Sequence, residues 1–73
     1  MKVLYLDKTH HRLQKELKKI GISNFFDFKS DKTKIEDKIS SYAGIVIRSR
    51  MKIDKKLIDK AINLKFIVGP HNL

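Results

Sequence analysis

The chain has 73 residues, room for one small domain at most, and domains of this size bury only about 60% of the surface they expose when unfolded. It contains no cysteine, which excludes disulfide staples and thiolate metal sites, and its short apolar runs fall far below the ~20 residues that a membrane span needs. The formal net charge of +9 rests on 14 lysines and three arginines scattered along the whole chain; arginine is the preferred fork for phosphate and base edges, so this pattern reads as a solvated surface and not as a nucleic-acid face.

Val3-Leu4-Tyr5-Leu6 is a continuous apolar run ending at Asp7, the pattern of a strand covered on both faces. Lys2 alone precedes it and no cleavage-site pattern follows, so a secretory signal is not expected and the cytoplasm is the expected compartment. Leu13, Leu17 and Ile20 recur at spacings of four and three, which predicts an amphipathic helix started by Asp7 or Thr9 and closed by Gly21 in a left-handed cap. Phe25-Phe26-Asp27-Phe28 reads as a second strand. Ile35, Ile39 and Tyr42 predict a second helix, with Asp31 or Thr33 as its cap and Thr33–Glu36 at capping-box spacing. Gly44 leads into Ile45-Val46-Ile47, the strongest strand signal in the chain. Asp54 is placed to cap a third helix carrying Leu57, Ile58, Ala61 and Ile62 on one side, and Leu64–Val68 reads as a fourth strand stopped by Gly69-Pro70.

The order βαβαβαβ with short connections predicts an α/β fold with a parallel four-stranded sheet and helices on its faces. Ligands of such sheets bind beyond the carboxyl ends of the strands. Those ends hold Asp7–His10, Lys29-Ser30, Arg48-Ser49-Arg50 and Gly69–His71. The glycines at 21, 44 and 69 match neither a dinucleotide fingerprint nor a P-loop, so no nucleotide site is expected. His10-His11 cannot form a clamp from one helix face, and a His10–Asp7 pair reads as a surface pair at a helix start; no metal site and no catalytic residue is assigned. Arg48-Ser49-Arg50 is the better candidate: guanidinium and hydroxyl groups at a strand's carboxyl end can hold a carboxylate or phosphate, and the alternative is that they are exposed loop charges.

The opening "MKVLYLDKTHHRLQKELKKIG", the later "KIEDKISSYAGIVIRSRMKIDKKLIDKAINLKFI" and their order resemble the N-terminal segment of the D-2-hydroxyacid dehydrogenases, in particular the D-3-phosphoglycerate dehydrogenase branch. The likeness runs from residue 1 to about 67 and is most specific over Gly44–Ile67. It implies a flavodoxin-like three-layer domain with sheet order 2-1-3-4. In the family this is the substrate-binding, or outer, domain; a separate Rossmann domain binds NAD(H), and the substrate, a small anionic 2-hydroxy acid, lies between them. Arg48 and Ser49 match the loop lining the substrate cleft, and in phosphoglycerate-type members that arginine lies near the anionic end of the substrate. Gly69 stands where the family begins a glycine-rich turn. The sequence departs from the pattern at Met51, where threonine is usual, and at Pro70, which lacks the N–H an anion nest needs.

The resemblance therefore implies a single, truncated outer domain over residues 1–73, without a dinucleotide-binding domain or a cofactor of its own, inactive alone, with Arg48, Ser49 and Gly69 as its substrate-facing residues. Two further expectations concern partners. The fourth strand should form a bare sheet edge that favours a homo-oligomer, and the alternative to an enzyme fragment is an interaction module using that edge.

Overall fold

The structure is a computed structural model and describes residues 1–8 and 11–69. Its elements are β1 (Lys2–Tyr5), α1 (His11–Lys19), β2 (Ser23–Phe26), α2 (Lys32–Lys38) continued by a 3-10 turn over Ile39–Ser41, β3 (Gly44–Val46), α3 (Lys55–Lys60) and β4 (Phe66–Val68). The four strands form one parallel sheet, as the element order predicts, in the order β2-β1-β3-β4 that the resemblance implies. Three layers result, the flavodoxin-like α/β arrangement.

Alternation along the strands decides which residues meet which helix. Leu4, Leu6, Ile45 and Ile47 face α2 and α3 and pack with Ile35, Ile39, Tyr42, Leu57 and Ala61. Val3, Tyr5 and Val46 face the other way, toward Ile22 and the half-buried Leu13 and Leu17 of α1. Among the described residues the second layer has one helix, and Phe66 and Val68 complete its cover over β3 and β4. Phe66 can do so because Gly44 is opposite it: a Cβ on Gly44 would lie 2.4 Å from the Phe66 ring. The glycine is thus a seat for the aromatic ring that closes the thinner face.

The ends of the elements differ from the periodic reading in instructive ways. Gly21 takes the left-handed conformation at φ 87°, and the N–H groups of Gly21 and Ile22 donate to the carbonyls of Lys18 and Leu17. This is the Schellman closure, whose apolar contact joins the residue after the glycine to the last inward helical residue. Accordingly Ile22 is buried with Leu17, whereas Ile20, which the spacing puts on the apolar face, is 71% exposed. Asp31, not Thr33, caps α2, accepting from the N–H of Lys34 at 3.0 Å. Asp54 caps α3, as expected, accepting from Leu57 N–H at 3.0 Å. On α3 and the turn after it, Leu57 and Ala61 are buried, whereas Ile58 and Ile62 are exposed. β2 begins two residues earlier than its aromatic run and ends at Phe26, because the Asp27 carboxylate accepts from the N–H groups of Lys29 and Ser30 and folds the chain into a turn.

Between α2 and α3 lies a charged cluster centred on one buried carboxylate. The Glu36 carboxylate is 4% exposed and receives Lys32 at 2.9 Å and Lys56 at 3.7 Å; Lys32 also donates to Asp54 at 2.6 Å. The hydrogen bond from Lys32 holds both carboxylates below their usual range, and Asp54 and then Glu36 raise the Lys32 ammonium above its own. This cluster ties the tops of the two helices together.

Candidate functional site at the carboxyl rim of the sheet

Strands β1, β3 and β4 end side by side. Leu6 N–H donates to Val46 O, and Ile47 N–H donates to Val68 O, so Asp7, Arg48 and Gly69 follow from neighbouring strands on one rim. Arg48 and Ser49 are exposed there and Gly69 is half-exposed. The three residues expected to face substrate are therefore brought to the same end of the sheet.

The loop that carries Arg48 and Ser49 is organised by a residue to which the sequence pattern gives other roles. One oxygen of the Asp7 carboxylate accepts from the backbone N–H groups of Arg48, Ser49 and Arg50, at 2.6, 3.1 and 3.2 Å. Three successive N–H groups turned toward one point form a concave anion site, and here the anion is the chain's own. Local pattern makes Asp7 a helix cap or a partner for His10. Its carboxylate is instead committed to a contact 41 to 43 residues away, and His10, Thr9, Pro70 and His71 lie outside the described residues.

The two arginines of the motif have opposite fates. The Arg50 guanidinium turns inward and donates to the carbonyls of Leu6, Asp27 and Ser30. It joins the ends of β1 and β2 to the loop after β3, a use that suits a planar fork with several fixed donors. Among the described residues the Arg48 side chain has no hydrogen-bond or ion-pair partner. Below Arg50, the turn after β2 is fixed by Asp27, which pairs with Lys38 through its second oxygen. The Lys38 hydrogen bond, followed by bonds from Ser30, holds the Asp27 carboxyl well below the usual carboxylate range.

Leu6, Asp7, Lys8, Phe28, Arg48, Ser49 and Arg50 surround an open recess on this rim. Three cations against one carboxylate make it electropositive. Because Asp7 already saturates the loop N–H groups, an anion arriving in the recess meets side chains: the Arg48 guanidinium and the Ser49 hydroxyl. Among the described residues no group of three or more His, Cys, Asp or Glu could hold a metal ion, and no helix is long and apolar enough to cross a membrane. Elsewhere, the Tyr5 hydroxyl is buried without a hydrogen-bond partner among the described residues, and burial raises its pKa.

A parallel α/β sheet with helices on both faces and a recess at its carboxyl rim defines the class of the fold. Comparison narrows the class. The family described as D-isomer specific 2-hydroxyacid dehydrogenase, catalytic domain, matches residues 3–69, and the chain belongs to that family. Among solved structures, the chain is similar to the PH0520 protein from Pyrococcus horikoshii OT3, with 26% identity and a TM-score of 0.75 over 93% of this chain and 20% of that one. It is also similar in fold to the TT0316 protein from Thermus thermophilus, with 20% identity and a TM-score of 0.79 over 94% of this chain and 23% of that one. It thus spans about a fifth of the length of the first of these structures. No curated protein matches it. The matched segment corresponds to part of the family's substrate-binding domain.

Proposed function

We propose that this chain supplies the substrate-facing rim of an NAD-dependent D-2-hydroxyacid dehydrogenase of the phosphoglycerate type, acting in the cytoplasm. The observation that carries the proposal is the division between the two arginines: Arg50 is consumed in holding the rim together, and Arg48 stands two residues away, exposed and unpartnered among the described residues, on a loop pinned by Asp7. In this reading the Arg48 guanidinium pairs with the anionic end of a small 2-hydroxy acid, the Ser49 hydroxyl donates a hydrogen bond beside it, and Gly69 lets the ligand approach the end of β4. A charge-assisted pair of this kind contributes about 1.5–3 kcal/mol where water is excluded.

NAD supplies the hydride acceptor in the family. The residues here do not fit it: Gly21, Gly44 and Gly69 are too widely spaced to cradle a pyrophosphate. No step of the redox reaction is therefore assigned to them, and the chain alone is expected to bind ligand weakly and to catalyse nothing. The test is a nitrogen-15 NMR titration with 3-phosphoglycerate. Shifts should centre on the amides of Ser49 and Gly69 and disappear in Arg48→Ala. Shifts centred on the groove between α1 and β2, or a saturable NADH complex detected by fluorescence, would overturn the reading.

A further inference from the structure

A carboxylate of the chain's own sits where the backbone could hold a ligand's anion. β1 and β3 are neighbours in register, Tyr5 beside Val46, so two residues further on Asp7 comes opposite Arg48. Neighbouring strands lie about 4.8 Å apart, a gap that the short aspartate side chain spans. The backbone beyond β3 turns so that three successive N–H groups point at one Asp7 oxygen, none farther than 3.2 Å. Such a concavity binds anions of many kinds. Asp7, tethered on the next strand, competes for it at an effective concentration above that of a dilute ligand.

An incoming carboxylate or phosphate oxygen finds these N–H groups taken and a like charge in front of them, which repels it at contact distance. Arg50 is taken too, since its guanidinium donates to the carbonyls of Leu6, Asp27 and Ser30. Of the cations around the recess, Arg48 and Lys8 are left among the described residues, both exposed. The two kinds of anion holder also select differently. A ring of backbone N–H groups takes one atom into a concavity, as it takes the single Asp7 oxygen here. A guanidinium offers two parallel donors to a group that carries two oxygens, a carboxylate or a phosphoryl end.

We propose that Asp7 determines the specificity of this rim: by filling the anion site of the loop it diverts a ligand's anionic end from the backbone to the Arg48 guanidinium. The site then admits carboxylate and phosphoryl groups at the length of an arginine side chain from the strand ends. For its ligand arm the proposal rests on the reading of Arg48 as the substrate-facing residue. Asp7 acts through the loop and is a positioning residue, and its shape and its charge can be separated. Asp7→Asn keeps a carbonyl oxygen that fills the concavity but removes the charge. Asp7→Ala empties it.

Nitrogen-15 NMR of the chain and its variants tests this in two arms. The first uses sodium acetate in the Arg48→Ala background, so that no Arg48 guanidinium contributes. Acetate should leave the Ser49 and Arg50 amides unshifted there, shift them saturably once Asp7→Ala is added, and leave them unshifted with Asp7→Asn instead. The second arm uses 3-phosphoglycerate. Arg48→Ala should weaken its binding about tenfold or more when Asp7 is present, and should have little effect when Asp7→Ala lets the anion enter the loop. Acetate shifts with Asp7 in place, their absence from a folded Asp7→Ala variant, or an Arg48→Ala effect as large without Asp7 as with it would overturn the proposal. Should Asp7→Ala not fold, Asp7→Asn decides: losing the like charge beside Arg48 should tighten 3-phosphoglycerate about threefold, and unchanged or weaker binding would overturn the proposal. Binding of 3-phosphoglycerate to the unmodified chain that ignores Arg48→Ala would instead overturn the substrate-facing reading of Arg48, and the acetate arm would still decide whether Asp7 fills the loop.

Discussion

The loop after β3 and the strand β4 lie next to each other at one end of the sheet, yet they are held by different forces. The loop is tied by charge-assisted hydrogen bonds that cross between strands: three into the Asp7 carboxylate and three out of the Arg50 guanidinium. β4 is held on one side by its ladder with β3 and by the Phe66 ring seated on Gly44. Polar bonds are directional and leave Arg48 pointing outward in a defined place. Apolar contact is not directional, and it holds β4 through the fit of one ring over one glycine.

The largest effect is expected from Asp7→Ala. It removes the acceptor of three loop N–H groups and should lower stability by about 1.5–3 kcal/mol, the range for hydrogen bonds to a charged group. Amide hydrogen exchange should accelerate at Arg48, Ser49 and Arg50 and stay unchanged in β4. A uniform acceleration would show that the loop and the strand are not separately held.

Gly44→Ala probes the strand instead of the loop. The new methyl displaces the Phe66 ring, and overpacking of this kind costs roughly 1–3 kcal/mol, here toward the low end because the ring can swing outward. The loss should fall on β4 exchange and spare the loop, and adding Phe66→Leu should recover part of it. Urea unfolding of the single and double variants measures both effects.

A smaller effect is expected from acid. Asp27 titrates below its ordinary value in the folded state, mainly through Lys38. A lowered folded pKa stabilises the fold above the ordinary value of about 3.9, and that contribution fades as pH falls through the folded value. Melting temperature should therefore drop below about pH 4, and Asp27→Asn should flatten this part of the profile. A slope unchanged in Asp27→Asn would assign the acid sensitivity to the Glu36–Asp54 cluster between α2 and α3, whose carboxylates are lowered in the same direction.

Much of the architecture is legible in the sequence because it rests on local signals. β-branched and apolar runs locate β1 and β3, aspartates locate the starts of α2 and α3, and Gly21 locates the end of α1. The same local logic misplaces Ile20, since the turn set by Gly21 carries the apolar contact past it to Ile22. It also places Ile58 and Ile62 with Leu57 and Ala61, although a helix of six residues on a sheet edge covers the core with only one narrow stripe. At the rim, topology alone brings Arg48, Ser49 and Gly69 together. It does not show that Asp7 fills the N–H groups of the loop or that Arg50 bridges three strand ends. Those contacts join residues 20 to 44 positions apart, and no periodicity encodes them. The available hint is a carboxylate ending one central strand beside two arginines ending the next.

The different roles of the two arginines are tested most directly by side-by-side urea unfolding of Arg48→Ala and Arg50→Ala. Arg50→Ala should lose about 2 kcal/mol, because its removal strips charged donors from three carbonyls. Arg48→Ala should remain within about 0.5 kcal/mol of the unmodified chain, as expected for an exposed side chain that the fold does not use. Comparable losses in both variants would contradict the claim that Arg48 is left to meet a ligand.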